Sequence, residues 1–349
     1  MQMGQESIFV SAIRSFCKMF FAMCGLFLAF FLFSFVYSSL SGASLIETKT
    51  TMSILPDTEG KRDIVSATSP AILQINLHGI VGANDPSAGF NAEEIENILL
   101  DSHLTLLAKD RVKGILIHMN SPGGTVADAD AIYEMLKEYK TKYHVPIFTY
   151  VSDLCASGGM YIASATDRIY TSPVAIVGSV GVIIGPFFNV VEALGKIGVQ
   201  AKTLTEGLNK DMMSPFRPWK EGESASLQAI MSNYYHRFVD IVTTARPKLS
   251  KEKLLQQYGA QVFDAKTAEE YGYVDQAGVN RNEALLALLQ EAKIDPTKPY
   301  QVVQLEPRRN FFSEFVKGKA GFLNGKVEHS LDLGQPKISG QFAYLYQPE

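Results

Sequence analysis

Residues 145–165 read VPIFTYVSDLCASGGMYIASA, an apolar run that gives way to small residues around Ser157. Residues 145–152 predict a buried β-strand, because they are mostly apolar and rich in β-branched and aromatic side chains. Gly158 and Gly159 follow the serine and predict a short helix that begins on residues without bulk. Glycines at that place either let two elements pack closely or let another molecule approach Ser157.

Strand and helix patterns alternate on both sides of this segment. Further strands are predicted at residues 71–81, 112–119, 168–173 and 199–207. Helices are predicted at residues 91–110, 125–143, 189–198 and 220–247, and the last has an apolar stripe suited to core packing or to an oligomer contact. Alternation of this kind with apolar strands predicts an α/β fold around a mostly parallel sheet.

An apolar segment near the N-terminus predicts a membrane anchor over residues 19–41. Residues 19–40 carry no charge, and as a helix they would rise about 33 Å, enough for a hydrocarbon core of roughly 30 Å. Arg14 and Lys18 precede the segment, so we expect residues 1–18 in the cytoplasm and the rest outside the cytoplasmic (inner) membrane. A cleaved signal peptide is the alternative, although its apolar region is usually shorter.

The remaining chain divides by composition. Residues 42–69 are polar without a sustained period and predict a linker, residues 70–300 hold the alternating pattern, and residues 301–349 form a C-terminal extension. The net charge of −4 gives no electrostatic case for a nucleic-acid partner.

Cysteine and histidine spacings predict neither a disulfide nor a metal site. Cys155 is the single cysteine outside the N-terminal region, which leaves it without an intrachain partner. The six histidines show no paired spacing, and the chain has no CxxC or HExxH motif. We therefore expect no metal and no cofactor.

Three glycine-rich segments lie where predicted strands end, the usual place for a site in an α/β sheet. The segment NSPGG (residues 120–124) would offer backbone N–H groups to an anion or an oxyanion, or would serve only as a turn. Ser157 is a candidate nucleophile beside the Gly158 amide, or an ordinary helix N-cap. Ser179, in VGSVGV (residues 177–182), either orients a catalytic group or is a satisfied hydroxyl in a tight strand.

A serine nucleophile needs a base, and no histidine lies between His144 and His236. His118, at a predicted strand end, is the nearest histidine. A lysine can serve instead if its surroundings favour the neutral amine. Lys210, in GLNKDMMSPFRP (residues 207–218), is trailed by apolar residues that would exclude water, but it is equally compatible with a solvated surface lysine. Asp211 beside it counts against a neutral amine.

The ordered set NSPGG, ASGGMYIASA, VGSVGV and NKDMMSPF resembles the SppA-type (signal peptide peptidase A) family of serine peptidases, in its short form with a single copy of the set. The resemblance covers residues 71–278. It implies a Clp protease/crotonase-like fold, a spiral of ββα units, and makes residues 70–300 a peptidase domain. One departure is that His118 and Met119 precede NSPGG where an arginine and an aliphatic residue are expected.

The resemblance also implies roles for single residues. Ser157 matches the nucleophile and Lys210 the general base of a Ser-Lys dyad, with Ser179 supporting the lysine. Gly124 and Gly158 match the oxyanion amides. The short form is expected to be a homo-oligomeric ring or dome in which neighbouring subunits share the dyad.

The expected function is therefore a membrane-anchored serine endopeptidase that degrades residual signal peptides and other hydrophobic or unfolded segments. Two alternatives stay open. A crotonase-like acyl-CoA enzyme would share the oxyanion geometry, and a non-catalytic membrane scaffold would share the fold. CoA-thioester binding would indicate the first, and failure of a serine-reactive probe to label Ser157 would favour the second.

Overall fold

A computed structural model of the chain describes residues 8–40, 49–104, 107, 110–308 and 343–345. The chain separates into two compact units, Met1–Thr48 and Lys49–Glu349. In the first unit, Ile8–Leu40 form one helix, α1. Its stretch Ala12–Ser34 is long and apolar enough to cross a membrane, a property that an N-terminal signal sequence shares. The helix starts before the predicted residue 19 because arginine and lysine, the flanking charges, are good helix formers.

The second unit is built on a single mixed β-sheet with strand order β1-β9-β2-β4-β5-β7-β8, to which β3, β6 and β10 add at β2, β5 and β4. The strands are β1 (Thr50–Leu55), β2 (Ala71–Val81), β3 (Gly89–Phe90), β4 (Val112–Thr125), β5 (Ile147–Ala156), β6 (Arg168–Thr171), β7 (Ile176–Gly178), β8 (Val262–Asp264), β9 (Gln301–Pro307) and β10 (Ala343–Leu345). The central strands β9, β2, β4 and β5 run parallel, as the alternating pattern predicted.

Helices cover both faces of this sheet. They are α2 (Ala92–Leu104), α3 (Val126–Tyr143), α4 (Gly158–Ala163), α5 (Val191–Lys196), α6 (Ala225–Ala245), α7 (Lys251–Lys253, continued by a π-helical turn over Leu254–Tyr258), α8 (Ala265–Tyr271) and α9 (Arg281–Glu291). Successive strand residues face opposite sides. On β4, Ile115, Ile117 and Met119 therefore pack in a large core with α2, α3, α4 and α6. Leu116, between them, packs on the other face in a smaller core with α9.

Several segments differ from the predicted elements. Residues 50–55, expected in the linker, form β1 against β9, and β9 itself lies in the expected C-terminal extension. The linker interpretation is wrong for β1 because an edge strand is half exposed, so its polar residues hid the pattern. Residues 199–207 are exposed coil instead of a strand, since strand-forming residues need a partner strand. The NSPGG segment extends β4 to Thr125, where we predicted a loop, because β2 and β10 pair with it.

Candidate active site

Ser157 lies at a strained point of the backbone, between the end of β5 and the start of α4. Its φ of 55° and ψ of −116° fall in a region that a residue with a side chain seldom adopts. Such a conformation costs on the order of 1–3 kcal/mol and is usually kept for a functional reason. Hydrogen bonds hold it in place: the Ser157 amide donates to the Gly178 carbonyl at 2.9 Å, and the Ser157 carbonyl accepts from the Tyr161 amide at 3.0 Å.

The Ser157 hydroxyl does not cap α4. It accepts no hydrogen bond from the first turn of the helix, so the N-cap alternative does not hold. The residue is 1% exposed, and no hydrogen bond of its hydroxyl is found among the described residues. The first amides of a helix, beginning here at Gly158, have no acceptor inside the helix. The Ser157 hydroxyl is thus buried beside the first free amide of α4.

Gly124 of NSPGG is required by close packing against β2, whereas Gly123 has a positive φ of 96°. A Cβ on Gly124 would lie 2.0 Å from the Val81 carbonyl oxygen, so no larger residue fits there. Ser121 fixes the segment, because its Oγ donates to the Gly79 carbonyl at 2.6 Å and accepts from the Gly123 amide at 3.1 Å. The β4–β5 pairing extends to Ser121 opposite Cys155, two residues before Ser157. The sheet thus brings NSPGG and Ser157 to one edge.

Gly159 allows α4 to pack closely against β4. A Cβ there would lie 3.1 Å from the Ser121 carbonyl oxygen, and α4 packs against β4 at this point. The small residues after Ser157 therefore seat α4 on the sheet.

Ser179 lies next to Ser157 through the β5–β7 pairing. Ala156 pairs with Gly178, so the next residues on the two strands are Ser157 and Ser179. Ser179 also has a positive φ, 53°, and its amide donates to the Gln261 carbonyl at 2.7 Å. Strand pairing places Ser157, Gly158 and Ser179 just after the paired ends of β5 and β7, whereas Gly124 lies near the end of β4, beyond the last β4–β5 pair.

Lys210 lies outside the strands and helices that carry these residues. It lies in a turn of an extended segment, residues 183–222, that we call the arm. No residue of the arm is buried, and the Lys210 side chain has no hydrogen bond or ion pair within the described part of the chain. Five large apolar side chains of the arm are more than half exposed, namely Phe188, Ile197, Leu204, Leu208 and Phe216.

Asp211, which we counted against a neutral lysine, has another partner. Its carboxylate accepts from Arg217 Nε at 2.7 Å and Arg217 Nη2 at 3.1 Å. Arg217 also donates to Glu223 at 2.6 Å, and these hydrogen bonds lower the pKa of both carboxyl groups. Asp211 therefore pairs with Arg217, but Arg217 also pairs with Glu223, so the three groups together keep a net negative charge and the objection to a neutral Lys210 stands.

His118 is unsuited to act as the base for Ser157. It lies on the α9 side of β4, two residues after Leu116, with its ring 4.6 Å from His78 and 5.6 Å from Tyr150. Burial, followed by the nearby His78 and Arg281, lowers the pKa of His118 to about 4. Cys155, beside the serine, is equally inert, since burial raises the pKa of its thiol to about 12. Among the described residues, no group of three or more His, Cys, Asp or Glu could hold a metal ion.

Sequence reasoning missed a network that holds α4 in place. Tyr161, on α4, donates to Asp130 of α3, and Arg237 of α6 donates to Asp130 at 2.7 Å and to Tyr161 at 3.0 Å. The network joins three helices around the element that starts at Ser157. No local signal marks it, because Asp130 and Arg237 are 107 positions apart.

Comparison with known proteins identifies the family. Residues 140–295 match the model of Peptidase family S49. A candidate signal peptide peptidase SppA of Enterococcus faecium is 31% identical over 65% of this chain and 65% of its own length, and a candidate protease of Synechocystis is 32% identical over 67% of this chain and 78% of its own. The chain thus spans slightly less than two thirds of the Enterococcus relative.

A ClpP1 variant from Listeria monocytogenes shares 18% identity over 61% of this chain and 94% of its own, with a TM-score of 0.39. The α/β fold with parallel central strands is the fold class that the sequence predicted. The chain belongs to Peptidase family S49, the SppA-type peptidases.

Proposed function

We propose that this chain is a membrane-anchored serine endopeptidase with a Ser-Lys dyad, in which Ser157 is the nucleophile and Lys210 the general base. The observation that carries the proposal is Ser157 itself, a buried serine in a strained backbone conformation beside the Gly158 amide and the NSPGG edge. Strained backbone conformations are usually kept where they position a side chain for a reaction.

In the proposed reaction, the Lys210 amine takes the Ser157 proton while Oγ attacks the scissile carbonyl. The Gly124 and Gly158 amides hold the oxyanion, which removes the need for a charged side chain at that point. Ser179, adjacent to Ser157, orients the lysine amine. The protonated lysine then gives its proton to the leaving amine, and water hydrolyses the acyl-enzyme in the reverse order.

The lysine is supplied by a neighbouring subunit in this proposal. The arm that carries Lys210 exposes large apolar side chains, and a surface of this kind normally lies in a protein–protein contact. A head-to-tail contact between copies closes into a ring, as the family resemblance implies, and each arm would then reach the next Ser157.

The substrates are proposed to be residual signal peptides and other hydrophobic or unfolded segments. An edge of β4 that pairs with backbone accepts an extended chain, which excludes folded proteins. Helix α1 would hold the enzyme in the cytoplasmic membrane, with Arg14 and Lys18 on the cytoplasmic side and the catalytic unit outside. Remnants of cleaved signal peptides are found in that membrane.

The test is cleavage of an unfolded reporter peptide by the detergent-solubilised full chain. Ser157→Ala and Lys210→Ala should each lose at least about a thousandfold in kcat, as expected for members of a catalytic unit. Lys202→Ala removes another exposed lysine of the arm and should retain the parental rate. Parental rates in the Ser157 and Lys210 variants would contradict the proposal.

Mixing the two inactive variants tests the shared dyad. Sites that combine Ser157 from a Lys210→Ala subunit with Lys210 from a Ser157→Ala subunit should restore about a quarter of the parental rate after subunit exchange at equal amounts. No recovery would place both residues of the dyad in one subunit. A serine-reactive probe that labels the parent but not Ser157→Ala would exclude the non-catalytic scaffold, and CoA-thioester binding would instead favour the crotonase-like alternative.

A further inference from the structure

A row of polar side chains crosses the sheet on the face that α9 covers. Strand pairing sets Asn76 of β2 beside His118 of β4, and His118 beside Tyr150 of β5. Two residues earlier on β4 and β5, Leu116 and Phe148 pack against α9 in the smaller core. Central parallel strands are usually apolar on both faces. Packing alone therefore does not explain the polar side chains at this place.

Arg281, the first residue of α9, is a half-buried cation with no ion pair among the described residues. Its Nε donates to Gln74 Oε1 at 2.8 Å, and its Nη1 donates to two further oxygens at 3.3 Å. Its Nη2 is buried and has no hydrogen-bond partner in the described part of the chain. Burial lowers the pKa of Arg281, and the groups whose charge acts on it are Tyr300 and Tyr150, which are not carboxylates. A cation so placed is costly unless an anion pairs with it.

His118 provides a second donor atom close to Arg281. Gln74, which Arg281 contacts, lies opposite Leu116, so His118 is two residues further along the neighbouring strand. The Nε2 of His118 is also buried without a partner among the described residues. Burial, followed by the charges of His78 and Arg281, lowers the pKa of His118 to about 4. The charged groups that act on this ring are thus both basic.

His78 is the exposed member of the cluster. Its ring stands edge-on to that of His118, with the two ring centroids 4.6 Å apart. Exposed side chains change rotamer within nanoseconds, and rotation of His78 would open the ring of His118 to a small ion. Glu283, a carboxylate whose charge reaches Tyr150, already accepts from the Asn280 amide at 2.7 Å in the capping box of α9.

We propose that Arg281 and His118, with His78 at the entrance, form a binding site for the oxyanion of a small carboxylate or phosphate. The guanidinium Nη2 and the imidazole Nε2 would each donate a hydrogen bond to one oxygen of the anion. Neighbouring residues of a strand face opposite sides, so His118 lies across the sheet from Met119, which packs in the core with α4. The site is therefore separate from Ser157, and its occupation does not depend on the proposed peptidase function.

The test is equilibrium dialysis of the detergent-solubilised full chain against labelled inorganic phosphate and, separately, labelled acetate. One of these anions should bind saturably to the parent and equally well to Ser157→Ala. Arg281→Met and His118→Phe should each weaken binding at least about tenfold, since a hydrogen bond to a charged group contributes a factor of that order. Lys293→Met is the matched control, because it removes an exposed cation just beyond the other end of α9 and should bind as the parent does.

Tighter binding of acetate would identify a carboxylate as the ligand, and tighter binding of phosphate would identify a phosphate. Urea midpoints show whether each variant is folded, and Arg281→Lys, which keeps the charge, should bind more tightly than Arg281→Met. Absence of saturable binding to the parent would overturn the inference, as would equal binding by the parent, Arg281→Met and His118→Phe. A chain that binds the anion but cleaves no peptide would refute the peptidase alone, and an active chain that binds neither anion would refute this site alone.

Discussion

The strain at Ser157 predicts that glycine at this position stabilises the fold while abolishing the chemistry. With φ at 55° and ψ at −116°, the serine costs on the order of 1–3 kcal/mol. Glycine adopts this conformation without a penalty, but it loses about 0.5–1 kcal/mol more backbone entropy than alanine. Alanine keeps the strain. Ser157→Gly should therefore be more stable than Ser157→Ala by roughly 0.5–2 kcal/mol, with both variants inactive.

The assay is urea unfolding of the full chain in detergent, followed by pulse proteolysis, with the two variants compared under identical conditions. Ser164 provides the matched control, since it ends α4 at an ordinary φ of −67° and is also buried. There the order should reverse, so that Ser164→Gly is less stable than Ser164→Ala. If glycine is the less stable variant at both positions, Ser157 is not strained and the argument for its role loses its basis.

Two further predictions concern the surroundings of the site. His118 has a pKa of about 4 in the folded chain against an ordinary 6.5, so as the pH falls from 6.5 to 4 the unfolded chain takes up the proton first. The free energy of unfolding should therefore drop by up to about 3 kcal/mol over that range. Urea midpoints measured across the range should show this loss in the parent and largely lack it in His118→Gln. Arg217→Met removes the ion pairs to Asp211 and Glu223 and should loosen the turn that carries Lys210. We expect kcat/KM to fall by at least about tenfold and limited proteolysis of the arm to become faster, whereas Lys202→Met should change neither kcat/KM nor the rate of proteolysis.

The α/β class and the parallel central strands could be predicted from the sequence, because parallel buried strands leave long apolar runs interrupted by glycine. The ASGGMYIASA and VGSVGV motifs gave Ser157, Gly158 and Ser179 as candidate residues, and the β5–β7 pairing sets them at neighbouring strand ends. The same reasoning failed at β1, whose half-exposed edge pattern reads as a linker. It failed again at residues 199–207, where valine and threonine suggested a strand that has no partner.

The arm shows a limit of a different kind. Its apolar residues alternate with polar ones as a strand or helix would, yet a single chain offers them no surface to cover. A periodic apolar pattern indicates that side chains are buried, but it does not distinguish burial inside one chain from burial against another chain. Lys210 could therefore be recognised from its motif, whereas its distance to Ser157 could not be derived from one subunit. A neutral catalytic lysine needs a dry environment, and in the proposed enzyme the arm acquires one when another copy covers it. In the proposed enzyme, assembly and activation of the base are thus the same event, which ties activity to subunit concentration through mass action.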